Sequence, residues 1–170
     1  MNTQEALKIA SLLVEEWVWT TETERPEPNR LDVKLTKLDD FIPIVVGLRV
    51  QRLGYLSAIT GLDLGPEVGE LEVLYHFCTA AAVVTLRLRV PRDNPSVPSL
   101  CSIIPSAEPF ERELREMFGV DVDKHPNPIH IYLPDDWPVD TYPLRKDFEQ
   151  GTVSTAVRRG VKHDGKENNG

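Results

Sequence analysis

The stretch LEVLYHFCTAAAVVTLRLRV, residues 71–90, contains the clearest structural signal in the sequence. Apolar residues occupy every second position from Val84 to Val90, a period typical of a strand with one buried face. The preceding part, residues 71–77, is also rich in apolar and aromatic residues. We therefore predict that these two parts form an antiparallel pair of strands.

Two helices are predicted before this pair. Apolar residues recur every three or four positions over residues 3–16, which indicates an amphipathic helix. Asn2 and Glu5 have the spacing of a capping box at the start of that helix. A second helix is predicted over residues 41–53, with Gly54 as its C-cap.

Two shorter segments predict further strands. These are LDVKL (31–35), in which apolar and polar residues alternate, and YLSAIT (55–60). The segments TETERPEPN (21–29) and GLDLGPEVGE (61–70) contain prolines, glycines and many polar residues, so both are predicted to be loops.

A third helix is predicted over residues 106–118, which include most of the charged stretch EPFERELREMFG (108–119). Gly119 follows it as a C-terminal glycine would. Its apolar residues fall on one helical stripe, which we expect to be buried. The stripe consists of Phe110, Leu114, Met117 and Phe118.

The charged residues of this helix are expected to form ion pairs on its surface. Glu108 and Arg112 are four residues apart, as are Glu111 and Arg115. Glu111 and Glu113 point about 200° apart on a helix, so they are not expected to act as a catalytic carboxylate pair.

These elements predict an α+β fold. The expected architecture is a single small domain with helices against a mainly antiparallel sheet, followed by a long irregular C-terminal tail. We divide the chain into a core domain (1–119), an extended proline-rich segment (120–150) and a polar, flexible end (151–170).

Composition excludes several classes of function. The 170 residues, 41% hydrophobic and 27% charged, are typical of one soluble globular domain. A net charge of −8 argues against nucleic-acid binding. We expect no signal peptide and no membrane-spanning segment, because the N-terminus lacks a basic region and no run of 18 apolar residues occurs.

The sequence contains no complete metal or nucleophile motif. His76 and Cys78 would point to one face of a strand, and His125 and His130 lie far along the chain. A free-standing metal-dependent enzyme that uses these four residues is one alternative function. Cys101, in an apolar run with no nearby base, is interpreted as a core residue.

The last part of the chain carries several motifs in a fixed order. These are SVPSLCSIIPSAEP (96–109), ERELREMFGV (111–120), HPNP (125–128), LPDDWP (133–138) and YPLRKDF (142–148). Together they resemble the 30 kDa-type hydrophilic subunit of respiratory complex I, a family with counterparts in membrane-bound nickel–iron hydrogenases. Lys124 departs from that pattern, which usually has glycine before His-Pro. The stretch DDWPVDTYPLRKDF favours the hydrogenase type.

The resemblance implies a non-catalytic core subunit of a membrane-bound redox complex. No active site and no cofactor are expected in this chain. The implied partners are a 49 kDa-type large subunit similar to that of nickel–iron hydrogenases and an iron–sulfur small subunit. They would hold iron–sulfur clusters and, in a hydrogenase, nickel and iron. The complex would pass electrons to quinone or protons and couple this to ion translocation. The chain would be peripheral, at the cytoplasmic face of the membrane, with membrane contact only through the complex.

The resemblance and the residue types together predict a docking surface. Arginine can pair with carboxylates through two hydrogen bonds, and aromatic residues often dominate interface energies. The predicted partner-binding residues are Glu111, Arg112, Glu113, His125, Pro126, Trp137, Tyr142, Pro143, Leu144, Arg145, Lys146, Asp147 and Phe148. A generic soluble adaptor is the second alternative function.

Overall fold

The predicted strand pair lies within a five-stranded sheet, which confirms the expected α+β class. The computed structural model describes residues 1–149, so the predicted flexible end (151–170) lies outside the described residues. The helices are α1 (Thr3–Glu15), α2 (Phe41–Val50) and α3 (Glu108–Phe118). The strands are β1 (Thr21–Glu24), β2 (Arg30–Leu35), β3 (Tyr55–Gly65), β4 (Glu70–Thr79), β5 (Ala82–Pro91), β6 (Ser96–Pro98) and β7 (Asp121–Asp123).

The sheet is mixed but mainly antiparallel. Its strand order is β1-β2-β5-β4-β3, with only the β2–β5 pairing parallel. Alternate residues of the central strands form the core, as their period of two requires. Phe41 of α2 and Tyr75 of β4 are fully buried there, with ring centroids 4.5 Å apart. None of the helices in residues 1–149 is long and apolar enough to cross a membrane.

The first and third helices follow their sequence signals closely. The Asn2 side chain accepts a hydrogen bond from Glu5 N, and the Glu5 carboxylate accepts one from Asn2 N, so the capping box is confirmed. Gly119 adopts φ 69° after α3, as expected for a left-handed C-terminal glycine.

The predicted loop 21–29 is wrong at its start, because β1 pairs antiparallel with β2 there. β1 is a four-residue edge strand of polar side chains, mostly exposed. Because such a strand buries no apolar face, its sequence lacks the alternation of apolar and polar residues from which a strand is predicted.

The predicted C-cap at Gly54 is also wrong, because α2 ends at Val50. Arg52 takes a left-handed conformation, and the turn returns Leu53 to the core, where its N–H donates to Leu48 O at 2.9 Å. Gly54 instead allows a close backbone approach, since a Cβ there would lie 1.9 Å from Cys78 O.

The predicted loop 61–70 is wrong because β3 continues through Gly61 to Gly65. At Gly61 the ring of Phe118 from α3 packs directly against the strand, and a Cβ would lie 2.4 Å from Phe118 Cδ2. Glycine inside a strand can mark such a close approach rather than a break.

We predict that Gly61→Ala destabilises the fold by about 1–3 kcal/mol, because the added methyl group must displace the Phe118 ring. Urea unfolding of the full chain measures this. In a Phe118→Leu background the same substitution should cost less, since the smaller side chain leaves room. An equal cost in both backgrounds would contradict the proposed contact.

Candidate functional site

The C-terminal segment, defined here as residues 120–149, lies against the core domain. It begins with β7, which pairs in parallel with β6, and then continues without helix or strand. Side chains of the domain bind many of its backbone groups. These contacts fix the course of a segment that has little regular structure of its own.

Charged residues of α3 hold the first half of the segment. Arg112 donates from Nε to Ile129 O at 2.9 Å and from Nη2 to His130 O at 2.6 Å. The buried Glu116 carboxylate accepts the N–H groups of Ile131 and Tyr132. The α3 charges therefore bind the segment as well as each other.

The end of α3 holds the second half of the segment. Leu144 N donates to Met117 O at 3.1 Å, and Arg145 Nε donates to Phe118 O at 2.8 Å. These donors satisfy carbonyl groups that the last turn of a helix leaves free. The Arg145 guanidinium also lies 4.5 Å from the centroid of the Tyr142 ring.

A buried ion pair holds the YPLRKDF motif against β3. Arg92 donates to both Asp63 carboxylate oxygens at 3.1 Å and to Asp147 Oδ1 at 2.5 Å. Asp63 Oδ2 also accepts Lys146 N at 2.9 Å. Burial of the Asp63 carboxyl opposes ionisation, but hydrogen bonds from Arg92, Lys146 N and Gly65 N outweigh it and lower its pKa to about 2.

Glu111 is buried, so the predicted surface ion pair with Arg115 is wrong. Its carboxylate accepts hydrogen bonds from Leu100 N at 2.6 Å, Ser99 Oγ at 2.7 Å and Cys101 Sγ at 3.2 Å. Arg115 instead lies 3.8 Å from Asp121. The other predicted pair, Glu108–Arg112, is confirmed at 3.1 Å.

Cys101, Glu111 and His125 form the one group within residues 1–149 that has metal-ligand chemistry at close range. Their ligand atoms lie within 4.8 Å of one another. His125 Nε2 is 3.7 Å from Glu111 Oε2, and His125 Nδ1 accepts a hydrogen bond from Asn127 N at 3.1 Å. A metal at Nε2 would place a proton on Nδ1, facing that N–H donor. The geometry therefore fits a hydrogen-bonded cluster better than a metal site.

The Cys101 thiol acts as a hydrogen-bond donor in this cluster. Burial, with the neighbouring Glu111 carboxylate, raises the pKa of the Cys101 thiol to about 11, so it stays protonated at neutral pH. Cys101 was predicted to be a core residue with no nearby base, but it is only half-buried, and its Sγ donates to the Glu111 carboxylate.

The four residues of the alternative metal enzyme are not brought together. His76 Nδ1 lies 3.1 Å from Thr85 Oγ1, and Cys78 Sγ donates to Ser57 Oγ at 3.3 Å, both within the sheet. His125 belongs to the Glu111 cluster, and His130 is exposed on the C-terminal segment.

The predicted partner-binding residues differ widely in exposure. The Glu111 and His125 side chains are buried, so any part they take in docking would be indirect. Half-buried residues are Arg112, Glu113, Trp137, Tyr142, Pro143, Arg145 and Phe148, and exposed residues are Pro126, Leu144, Lys146 and Asp147. Their role in docking stays a prediction.

Sequence reasoning missed two residues of the core domain, Asp63 and Arg92, that hold the C-terminal segment in place. Asp63 lay in a predicted loop, and Arg92 lay in the proline-rich stretch PRDNPSVPS (91–99), for which no helix or strand was predicted. Their pairing joins positions 29 residues apart, which local periodicity cannot reveal. Sequence reasoning also missed the exposed apolar side chains of Ile129, Tyr132 and Val139.

The sequence is similar to those of known proteins. A family model described as respiratory-chain NADH dehydrogenase, 30 Kd subunit, matches residues 32–153. The chain is 38% identical over 105 residues to a subunit of the NADH-quinone oxidoreductase of Saccharopolyspora erythraea, covering 60% of this chain and 41% of that protein. It is 37% identical over 97 residues to a subunit of the F(420)H(2) dehydrogenase of Methanosarcina mazei, covering 56% and 60%.

The fold also matches a solved structure. A chain of the membrane-bound sulfane sulfur reductase (MBS), an archaeal respiratory membrane complex, aligns with a TM-score of 0.69 and 23% identity, covering 97% of this chain and 96% of that one. This likeness concerns the fold alone. Four of the curated relatives are subunits of NADH-quinone oxidoreductases. The chain spans only part of each of them, between 41% and 51% of their length.

We predict that Glu111→Gln destabilises the chain by about 1–3 kcal/mol, because an amide nitrogen would face the donors that the carboxylate now satisfies. Glu113→Gln removes one charge from the same helix at a half-exposed position and should cost less. Chemical denaturation of both variants measures the difference. Equal costs would mean that the Glu111 cluster does not stabilise the fold.

The depressed pKa of Asp63 predicts a stability change at acidic pH. Its folded pKa of about 2 lies below the ordinary value of 3.8, so ionised Asp63 stabilises the fold above about pH 4. That contribution, about 2 kcal/mol, should be lost as the pH falls towards 2.

Unfolding of the wild type and of Asp63→Asn between pH 2 and 7 tests this expectation. The gap between their unfolding free energies should narrow below about pH 4. In an Arg92→Met background the narrowing should be smaller, because the main hydrogen-bond partner is gone. A gap that is constant over the whole range would contradict the role of this ion pair.

Proposed function

This chain belongs to the family of the 30 kDa subunit of respiratory-chain NADH dehydrogenase, and on that premise we propose that it is a non-catalytic core subunit of a membrane-bound redox complex related to complex I. In this proposal it docks on a large subunit and supports electron transfer that is coupled to ion translocation. The chain itself holds no cofactor, and iron–sulfur clusters belong to its partners.

One feature of the C-terminal segment carries the docking proposal. Over residues 129–144 it presents four exposed apolar side chains, while its backbone is held against the domain. Their exposed fractions are 61% for Ile129, 62% for Tyr132, 87% for Val139 and 54% for Leu144. Several exposed large apolar side chains on a segment whose backbone is held in place are typical of a protein interface.

The proposed partners are the 49 kDa-type large subunit and the iron–sulfur small subunit. Residues 120–150 would supply much of the contact with the large subunit. The chain would lie at the cytoplasmic face of the membrane and reach the bilayer only through these partners. The family membership supports this assignment.

Two types of complex remain as candidates. The motif DDWPVDTYPLRKDF favours a membrane-bound hydrogenase. The names of the curated relatives, NADH-quinone oxidoreductase and F(420)H(2) dehydrogenase, favour a complex that oxidises a soluble electron donor. The metal content and the activity of the purified complex distinguish the two.

Purification of the tagged full-length chain from native membranes in mild detergent tests the proposal. We expect a multi-subunit complex that contains iron. Nickel with hydrogen-dependent activity would identify the hydrogenase type, and quinone reduction without nickel would identify the dehydrogenase type. A chain that purifies alone, or with partners that lack iron, would contradict the proposal and favour the adaptor alternative.

The docking surface is tested in the same experiment with Leu144→Asp/Lys146→Glu, two exposed positions of the segment. We expect this variant to retain about tenfold less of the complex, since a buried charge opposes binding. Val50→Asp/Lys37→Glu introduces the same two acidic residues at exposed positions outside the segment and should retain the complex. Equal retention by both variants would contradict docking through this surface.

A further inference from the structure

A cleft of about 440 Å³ lies between the end of α3 and the C-terminal segment. Arg115 and Gly119 line it at the end of α3, and Asp121, Asp135, Trp137 and Asp140 line it from the C-terminal segment. The cleft is separate from the Cys101–Glu111–His125 cluster, whose residues do not line it.

The cleft and its surroundings are acidic. The C-terminal segment contains seven acidic and three basic residues, which gives a net charge of −4 with neutral histidines. Asp121, Asp135 and Asp140 all belong to the lining and are exposed. Arg115 offsets only part of this charge, at 3.8 Å from Asp121. Such a cleft attracts cations and repels phosphate groups.

The lining also offers apolar surface. Ile129 and Val139 belong to it and are 61% and 87% exposed. The Trp137 indole N–H is already bound, since it donates to Thr141 O at 2.8 Å. Its half-buried ring therefore offers mainly apolar surface to the cleft. Aspartates next to apolar and aromatic groups suit lysine or arginine, whose long alkyl stems carry a terminal charge.

The walls of the cleft are fixed within the chain itself. Glu116 holds Tyr132 N at 3.0 Å, and Arg145 holds Phe118 O at 2.8 Å. The Tyr142 ring lies so close to Gly119 that a Cβ there would be 2.3 Å from Tyr142 Cζ. A cleft formed before binding costs little ordering entropy when it is filled.

We infer that this cleft receives a basic segment of a partner polypeptide, with a lysine or arginine side chain placed between Asp135 and Asp140. The inference rests on the proposed function, because it names the chemistry of the partner that the C-terminal segment contacts. Charge complementarity selects this occupant. A purely apolar helix would cover Asp135 and Asp140 without supplying a cation, and Asp140 would keep only its hydrogen bond from the Tyr142 hydroxyl, at 3.3 Å.

Carboxylate labelling tests the inference in the native complex. The chain alone and the purified complex are treated with a carbodiimide and glycine ethyl ester, and modified residues are identified by mass spectrometry. We expect Asp135 and Asp140 to react several-fold less in the complex. The exposed residues Glu22 and Glu67, which do not line the cleft, should react equally in both.

A charge-matched pair of variants gives the second measurement. Asp135→Asn/Asp140→Asn removes the cleft charge, and asparagine tolerates the left-handed backbone that Asp140 adopts at φ 56°. We expect about tenfold less of the complex to be retained at moderate salt than with Glu22→Gln/Glu67→Gln. Carbodiimide without added amine should also link Asp135 or Asp140 to a partner lysine when lysine is the occupant.

The outcomes separate this inference from the proposed function. If the complex is recovered but Asp135 and Asp140 react as they do in the free chain, the cleft inference is overturned and the docking proposal stands. If Asp135→Asn/Asp140→Asn retains as much of the complex as Glu22→Gln/Glu67→Gln does, the cleft inference is likewise overturned and the docking proposal stands. If the wild-type chain recovers no redox complex, the proposed function fails, and the inference fails with it.

Discussion

The ion pair between Asp63 and Arg92 is the contact on which the position of the YPLRKDF motif depends. Asp63 ends up buried because β3 runs on past Gly61, and Arg92 lies just after β5. A buried carboxylate with no partner would cost several kcal/mol, so each residue requires the other. Their remaining hydrogen-bond capacity binds Lys146 N and Asp147. The core therefore binds its own C-terminal segment through this ion pair.

This arrangement separates the residues that hold the segment from the residues that face solvent. Arg112, Glu116 and Arg145 bind backbone groups of the segment or of α3, and Glu111 binds the loop before α3. Those residues are already paired and determine the shape of the surface. The residues available to a partner are the exposed ones between these anchors, which are mainly apolar or acidic. Charge in the motifs thus serves folding first, and the proposed docking would use the surface that folding creates.

The sequence predicted the elements whose signals are local. Strands β4 and β5, helix α1 with its capping box and the left-handed Gly119 all follow from period, cap or turn chemistry. The errors occurred where contacts between distant parts of the chain determine the conformation or burial of a residue. Gly61 resembles a strand break until Phe118 is known to pack on it, and Glu111 resembles a surface residue until the 99–101 loop is placed above it. Edge strand β1 has no apolar pattern to detect.

The candidate site, too, could be predicted from the sequence only in part. Family motifs identified the segment, but they did not distinguish residues that hold it from residues that face outwards. That distinction depends on which donor meets which acceptor across the fold, as between Arg145 and Phe118 O. Once these pairs are known, Asp135 and Asp140 are seen to be exposed acidic residues of the cleft, and Asp140 accepts a hydrogen bond from the Tyr142 hydroxyl. An exposed carboxylate beside apolar surface gains most from a cationic partner that also covers that surface. The proposal of a basic partner therefore rests on the exposed acids of the cleft more than on the arginines.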